Sequence, residues 1–556
     1  TAALMAMVSS IATAAFAEEY DLNKGSVTVE TKDNGNTYVT QANTETTDHL
    51  DTTGVTITSN GEKTSNTITV ETAKDQTTDV TLQDVNIEVN TSDAKSGAIE
   101  IKGDGNTNLE LNGDNTVMVK NGWEEEHAAI EKADKYGKEG TLTIKDDVND
   151  DGTAKGTDAD TTGKLLAGGY KDTSAIGGGG TADLRDTSNI TITGGEIKAI
   201  AGYDGGAGIG GGYGGTGKNI CIEGNAHVTA VSSAGAAIGG GIGSGNSVTI
   251  TGDAVVDAYS AFAAAIGNGD QVGRSNEPTT ITISGNATVH AETSEGSCAI
   301  GTSRDGSLSD LTINIEKNAN VTAIASSDRP AIGNAGCHGD TTTTINITGG
   351  TVNAINSYGS DIPSYPNDGT GNYSPAIGGK IHSYNVDGDH TATCNVNINS
   401  STGDTIVNAY IYGKGSGPAV GSATETTSYN PYNVEYQYVP ADSASYKADG
   451  SSHFGERNSA IVNCYKNGTV KKENLKEKLD LPDTLDSSAL SSIHNHHEIT
   501  GGTLTKVVHN RKYMEKHPEI VDDFNKLENS DLHDWQLKGE VVEPTLEKDG
   551  YADYVC

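Results

Sequence analysis

Short segments in which apolar and polar residues alternate recur along this chain about every 30 residues. Alternation with a period of two is typical of a β-strand that buries one face and exposes the other. The alternating segments are Ile190-Thr-Ile192, Ile220-Cys-Ile222, Val248-Thr-Ile250, Ile281-Thr-Ile283, Leu311-Thr-Ile313, Ile345-Asn-Ile347 and Val396-Asn-Ile398. A turn and a second apolar segment follow each of them, for example Ile197-Lys-Ala-Ile200 after the first. The pattern therefore predicts two strands in each repeat.

A third short segment, Ala/Gly-Ile/Val-Gly, closes each repeat. It occurs eight times, and its central residues are 28 to 45 positions apart. The eight copies are Ala175-Ile-Gly177, Gly208-Ile-Gly210, Ala237-Ile-Gly239, Ala265-Ile-Gly267, Ala299-Ile-Gly301, Ala331-Ile-Gly333, Ala376-Ile-Gly378 and Ala419-Val-Gly421. A near-constant period of this length indicates a solenoid, in which each repeat buries its apolar face against its neighbours.

Three short strands and three turns in about 30 residues predict one coil of a right-handed parallel β-helix, an all-β fold. Equivalent strands of successive coils stack, so each interior position becomes a ladder of similar residues. The isoleucine of the Ala-Ile-Gly segment is expected to fill the interior. The glycine after it is expected where the backbone bends sharply and adjacent coils approach closely.

The repeats divide the chain into segments. Weaker copies extend them upstream, and the region after them is predicted to be a small mixed α/β part with short helices, one of them at Lys471–Leu479. The predicted segments are a partial signal peptide at 1–17, N-terminal strands or a cap at 18–75, β-helix repeats at 76–425, a Tyr-rich loop at 426–460, a linker or helical cap at 461–530, and the start of a C-terminal module at 531–556.

Composition supports an elongated fold and excludes some partners. The chain has 70 glycines and only 34 % hydrophobic residues, which is little for a globular core of 556 residues. Its 37 Lys and Arg against 76 Asp and Glu give a formal net charge of −39. A chain so acidic is not expected to bind nucleic acid or anionic lipid.

The N-terminal residues resemble a secretory signal. Residues 1–17 are apolar and then small, and Ala15-Phe16-Ala17 fits the Ala-x-Ala rule for signal peptidase, with cleavage before Glu18. No later stretch reaches the roughly 20 apolar residues of a membrane span. We therefore expect an extracellular protein, secreted or attached to the cell surface. The six cysteines are too sparse for a disulfide framework or a zinc module.

The repeats, together with Gly25-Ser-Val-Thr-Val29 and Gly140-Thr-Leu-Thr-Ile144, carry a family resemblance. The chain resembles secreted bacterial surface proteins with A-[AG]-I-G-G-G repeats in a pectin-lyase-like β-helix of the carbohydrate-binding-domain type. The resemblance covers residues from about 24 to about 425. It implies a β-helix on the bacterial cell surface, and it leaves both binding and polysaccharide cleavage open, because this fold hosts both.

The tail resembles small cysteine-containing modules that follow such domains. The resemblance rests on His533-Asp-Trp535, Val541-Val-Glu-Pro-Thr545 and the segment that ends in Cys556. Leu546 stands where these modules usually have their first cysteine. The resemblance implies that the chain is a fragment of a longer protein.

An acidic loop is the predicted metal site. Asp147, Asn149, Asp151 and Asp158 place oxygen ligands at positions 1, 3, 5 and 12, with Gly152 at position 6. This is the ligand spacing of a calcium loop, in which the glycine permits a sharp turn. The alternative is a solvated acidic loop inserted into a coil.

Tyrosines in two long loops are the predicted ligand contacts. The loops follow the two places where the repeat spacing stretches or ends, and long loops on a rigid scaffold are where function concentrates. Tyrosine stacks on sugar rings while its hydroxyl forms hydrogen bonds. The tyrosines are Tyr358, Tyr365, Tyr373, Tyr429, Tyr432, Tyr436 and Tyr438. The alternative is that they pack the loops onto the flank of the helix.

The favoured function is therefore a non-catalytic β-helix that binds a polysaccharide or a cell-surface glycan, or that acts as an adhesive spacer. The alternative is a polysaccharide lyase or a glycoside hydrolase on the same scaffold, although no carboxylate pair stands out among the 76 acidic residues. A third hypothesis is an outward ladder of threonines, as in ice-binding solenoids, formed by Thr191, Thr249, Thr282 and Thr312.

Overall fold

The computed structural model describes residues 17–120, 126–147, 163–242, 247–269, 277–303, 309–326, 329–337, 341–357, 374–381, 393–398, 401–411, 420–424, 461–466, 469–479, 495–500, 503–508, 536–537 and 554–555. Three long sheets dominate it. In each sheet, a strand pairs in parallel with its counterpart in the next coil. The predicted parallel β-helix is confirmed.

The first sheet consists of the alternating strands. Its strands are, in spatial order, Glu18–Asp21, Val55–Thr58, Thr77–Gln83, Asn106–Asn112, Leu142–Lys145, Thr187–Ile192, Gly217–Ile222, Ser247–Ile250, Thr279–Ile283, Leu311–Ile315, Thr342–Ile347 and Thr393–Ile398. Spatial order equals chain order, as a solenoid requires.

The second sheet follows the first along each coil. Its strands are Asn86–Asn90, Asp114–Lys120, Lys164–Gly168, Glu196–Ile200, His227–Ser232, Val255–Ser260, Thr288–Thr293, Asn320–Ala325, Gly350–Asn356, Thr405–Ile411, Ile461–Lys466 and Thr503–Val508. This sheet continues past residue 425, because Ile461–Lys466 pairs in parallel with Thr405–Ile411. Thr503–Val508 then pairs antiparallel with Ile461–Lys466 and lies at the edge.

The third sheet contains the Ala-Ile-Gly segments. Its strands are His49–Asp51, Thr37–Gln41, Val27–Thr31, Ile68–Thr72, Ile99–Lys102, Ile130–Glu131, Ile176–Gly177, Ile209–Gly210, Ile238–Gly239, Ile266–Gly267, Ile300–Gly301, Ile332–Cys337, Ile377–Ile381 and Val420–Thr424. At the N-terminal end, Thr37–Gln41 pairs antiparallel with both Val27–Thr31 and His49–Asp51. These antiparallel strands cover an edge that would otherwise offer unpaired backbone groups.

Other elements are short. Two antiparallel pairs, Thr469–Asn474 with Asn495–Thr500 and Gln536–Leu537 with Tyr554–Val555, lie outside the three sheets. In the part of the chain that the structure describes, the helices are a 3₁₀ turn at Leu22–Lys24, Thr91–Ala94 and Leu475–Lys478. Helix 475–478 replaces the longer one predicted at Lys471–Leu479, because 469–474 is a strand. Among the described residues, no helix has the length and apolar character needed to cross a lipid bilayer.

Buried ladders of like residues form the core. In the third sheet, the isoleucines of successive Ala-Ile-Gly segments face one another in register, as at Ile238, Ile266 and Ile300. The valine and alanine of the second sheet do the same, as at Val256 with Val289 and Ala258 with Ala291. All belong to one continuous buried cluster. Burying each aliphatic side chain contributes about 1.5–3 kcal/mol.

The glycines after these isoleucines have a backbone role, as predicted. Seven of them, from Gly177 to Gly378, have φ between +132° and +140°, which side chains rarely tolerate. Space is equally restrictive. A Cβ added at Gly267 would lie 2.0 Å from the carbonyl oxygen of Gly301 in the next coil. The repeat therefore serves architecture rather than ligand contact.

The last helix packs against the outer side of the second sheet. Leu475 and Leu479 join Ile200, Val231 and Tyr259 in a second buried cluster, separate from the core. Two polar contacts accompany it: the Lys478 ammonium donates to the Tyr259 hydroxyl at 3.0 Å, and the Lys198 ammonium donates to the Leu479 carbonyl at 3.1 Å. Residues more than 200 positions apart in the chain are thus joined on the helix flank.

We expect Gly267→Ala to destabilise the protein by about 2 kcal/mol or more, because it combines backbone strain with a clash against the next coil. The matched control is Gly61→Asn. Gly61 also has a positive φ, +73°, but a Cβ there meets nothing within 4 Å, and asparagine tolerates this conformation. Urea unfolding followed by circular dichroism measures both variants. Equal midpoints for the two variants would contradict the role assigned to the glycine ladder.

Candidate functional site

The predicted site residues are only partly within the described structure. The seven loop tyrosines, from Tyr358 to Tyr438, lie outside it, as do Asn149, Asp151 and Asp158 of the predicted calcium loop. Asp147 is described: its two carboxylate oxygens accept from the Lys145 ammonium at 3.0 Å, and its backbone N–H donates to Glu110. Both the tyrosine surface and the calcium loop stay predictions.

From the coil of Thr191 onward, two rows on the outward face of the first sheet carry polar side chains without charge. One row along the stack, which we call row 1, consists of Thr191, Cys221, Thr249, Thr282, Asn314, Asn346 and Asn397. Two residues earlier on each strand, row 2 consists of Ser247, Thr280, Thr312, Thr344 and Asn395. Every member of both rows is at least partly accessible. The chain as a whole has a formal net charge of −39. A run of uncharged hydroxyls and amides on consecutive coils therefore differs from its generally acidic character.

The predicted ladder of four threonines is wrong at one residue, Thr312. Thr191, Thr249 and Thr282 do lie in row 1, but Thr312 pairs with Thr280 and belongs to row 2. The residue that follows Thr282 in row 1 is Asn314. Because both rows face outward, alternation alone could not tell them apart.

Side-chain hydrogen bonds order the C-terminal part of row 1. The Asn346 amide donates to Asn314 at 2.9 Å, and the Asn397 amide donates to Asn346 at 2.8 Å. Such amide ladders stack naturally on parallel in-register strands. These hydrogen bonds restrict the rotamers of the half-buried amides.

Cys221 interrupts row 1 with a thiol. Burial, together with the neighbouring Glu223 carboxylate, raises the pKa of this thiol to about 11. The thiolate is the reactive form of cysteine. Cys221 is therefore a weakly reactive residue in the middle of the polar face.

A second candidate site is buried between two coils of the third sheet. Glu100, His127 and Glu131 are 4 %, 5 % and 0 % exposed. Nδ1 of His127 lies 3.1 and 3.0 Å from the two carboxylate oxygens of Glu131 and 4.0 Å from Oε1 of Glu100. One ligand atom from each residue lies within 4.8 Å of the others. Among the described residues, this is the one group of three His, Cys or acidic side chains so arranged.

The backbone register explains why these carboxylates meet. Glu100 and Glu131 are paired residues on neighbouring strands, and Glu131 is in turn paired with Gly177. They occupy the position that is glycine in the following coils. Sequence reasoning missed the site although a signal existed: Ala98-Ile99-Glu100 and Ala129-Ile130-Glu131 are Ala-Ile-Gly segments in which glutamate replaces glycine.

Burial of this cluster disfavours the ionised form of its carboxyl groups. Burial raises the pKa of the Glu131 carboxyl, while the His127 ring and the Ala128 N–H, which donates to Oε2 at 3.1 Å, oppose the rise. Glu100 accepts from the Lys102 ammonium at 2.8 Å. Two carboxylates on adjacent rungs would repel each other unless positive charge lies between or beside them.

A glycine-rich loop closes this cluster from one side. The N–H of Gly180 donates to the Glu126 carbonyl at 2.7 Å, just before His127 in the chain. A Cβ at Gly179 would lie 3.0 Å from Oε2 of Glu131. The Glu126 carboxylate itself pairs with the Lys171 ammonium. The cluster is therefore enclosed by protein, and a polymer cannot reach it.

No known protein family, curated protein or solved structure matches this chain. The fold and the geometry of the two sites are therefore the basis for any functional conclusion.

We expect Cys221 to react slowly with iodoacetamide and to accelerate as the pH rises toward 11, because burial disfavours the thiolate. At pH 8 its thiolate fraction should be about 0.001, about two-hundredfold below that of an ordinary thiol. Peptide-level mass spectrometry across pH 7–11 measures the rate. Glu223→Gln should move the profile to lower pH, because it removes the neighbouring charge. A profile that levels off near pH 8.5 in the unmodified protein would contradict the assigned environment.

Proposed function

We propose that this chain is a secreted or cell-surface β-helix protein that binds carbohydrate without cleaving it. The observation that carries the proposal is the uncharged face formed by rows 1 and 2. Hydroxyl and amide groups repeat along it at the strand spacing of about 4.8 Å. A repetitive, flat and polar surface suits a repetitive, hydroxyl-rich polymer, because each coil offers a similar set of donors and acceptors.

Preorganisation supports binding on this face. The amide hydrogen bonds of Asn314, Asn346 and Asn397 hold these side chains in place, and the β-branched threonines have few rotamers. Little side-chain freedom is then lost when a ligand binds. The β-helix itself keeps the rows straight over many coils.

Charge indicates which polysaccharides fit. A formal net charge of −39 repels uronate-rich and sulfated polymers over a Debye length of about 8 Å. The two rows add no positive charge against this repulsion. We therefore favour a neutral glycan. The proposed extracellular location rests on the predicted signal sequence and on the family resemblance.

Enzymatic cleavage is the alternative. A glycosidase needs two carboxylates that reach the sugar, about 5–9.5 Å apart. The carboxylates of Glu100 and Glu131 are close together, but they are buried and enclosed. This observation argues against their use on a polymer and favours the binding function.

We expect the protein to bind neutral polysaccharides on a glycan array more strongly than anionic ones, and to release neither reducing ends nor unsaturated uronates from them. The double variant Thr249→Val/Thr282→Val, which removes two row 1 hydroxyls at nearly constant shape, should weaken binding of the best neutral oligosaccharide about tenfold, as for loss of about 1.4 kcal/mol. Isothermal titration calorimetry measures the affinity.

The matched control is Thr229→Val/Thr322→Val, the same change on the outward face of the second sheet, where Thr229 pairs with Asp257 and Thr322 with His290. It should leave the affinity unchanged. Cleavage of any polysaccharide by the protein would overturn the proposal that it binds carbohydrate without cleaving it. Unchanged affinity in the row 1 variant, with a loss on Tyr365→Ala or Tyr432→Ala, would move the contact surface to the tyrosine loops.

A further inference from the structure

We propose that Glu100, His127 and Glu131 bind one divalent transition-metal ion between two neighbouring coils of the β-helix. The site lies inside the wall of the third sheet, away from rows 1 and 2. It is independent of carbohydrate binding.

The ligand distances are close to those of a metal site. Zinc binds histidine nitrogen and carboxylate oxygen at about 2.0–2.2 Å, so two ligands on one ion lie about 3–3.5 Å apart. Nδ1 of His127 is 3.0 and 3.1 Å from the Glu131 oxygens. Oε1 of Glu100 lies 4.0 Å from the same nitrogen, so the Glu100 side chain would rotate toward the ion to become the third ligand.

The charges of the cluster favour a divalent cation. Glu100 and Glu131 are directly paired on adjacent rungs and almost inaccessible to water. A neutral His127 protonated at Nδ1 donates to the Glu131 carboxylate, whereas the other tautomer places a lone pair there and needs a cation between the ring and the oxygens. The Lys102 ammonium, 2.8 Å from Glu100, is one positive charge beside the two carboxylates, and an imidazolium on His127 would add a second at the cost of burying a cation. A metal ion offsets both carboxylates and uses the imidazole in its neutral form.

The donor set indicates the kind of ion. One imidazole nitrogen with two carboxylates suits Zn²⁺ or Mn²⁺ better than Ca²⁺ or Mg²⁺, which prefer oxygen alone. Protein also encloses the site, since the Gly179 and Gly180 backbone covers it. A closed site is typical of a structural ion. The ion would clamp two coils at the point where glutamate replaces the glycine of the repeat.

The experiment uses the whole chain, stripped with a chelator and then titrated with Zn²⁺ and with Co²⁺. We expect Glu131→Gln and His127→Leu to lose one ion per chain, or to weaken it at least tenfold, relative to the unmodified protein. Because His494, His496, His497 and the cysteines can bind zinc elsewhere, the ion that counts is the one the variants lose. Co²⁺ should add visible absorption that the same variants lack.

The chain offers a matched control. Glu292 is also buried beside a histidine, with Oε2 3.3 Å from Nε2 of His290, yet among the residues that the structure describes this pair is not part of a three-ligand group. Glu292→Gln should keep the ion. Equal metal content in the unmodified protein and a folded Glu131→Gln variant would overturn the proposal, and the cluster would then be an ion-pair network.

A measurement on the unmodified protein covers the case in which the variants do not fold. Added Zn²⁺ should slow amide hydrogen exchange in peptides that contain residues 97–102 and 127–132, but not in those that contain residues 288–293. Uniform or absent protection would also overturn the proposal.

Discussion

Parallel, in-register stacking of successive coils is the constraint on which this structure depends. Except at the two ends of the stack, strands of the three long sheets form their backbone hydrogen bonds with the coils before and after them, so neighbouring coils must agree at each position. An interior isoleucine therefore requires another above and below it, as at Ile238, Ile266 and Ile300. Because of the same requirement, one residue that departs from the repeat pattern affects the neighbouring coils. One side chain at Gly267 would press on the carbonyl of Gly301.

Departures from the ladders identify the places where chemistry is possible. Glutamate in place of glycine at Glu100 and Glu131 brings two buried carboxylates together beside His127. In row 1 of the first sheet, asparagine replaces threonine at Asn314, Asn346 and Asn397. The side-chain amides of these residues form hydrogen bonds with one another. The two departures differ in environment. The first is enclosed by protein, whereas the second is partly accessible to solvent.

The outer side of the second sheet packs against another part of the chain. There the stack is covered from Ile200 to Tyr259 by Leu475 and Leu479, so apolar side chains that point away from the core are still buried. The same scaffold thus offers a polar face toward solvent and an apolar strip toward its own C-terminal segment. The burial of apolar area explains why the segment lies on the second sheet and not on the polar rows of the first sheet.

The sequence by itself determined the architecture. Alternation, the Ala-Ile-Gly period and the glycine positions are local properties repeated many times, and each repeat supports the same solution, so strands, ladders and the role of glycine follow directly. The tertiary structure alone decided which outward rows align and which side chains meet across coils. A shift of two residues keeps a side chain on the same face, which is why Thr312 was assigned to the wrong row. His127 lies in a turn whose path no periodicity specifies, and helix 475–478 contacts residues more than 200 positions earlier. Such contacts depend on how the chain packs in three dimensions, because a repeat pattern encodes only what is common to its copies.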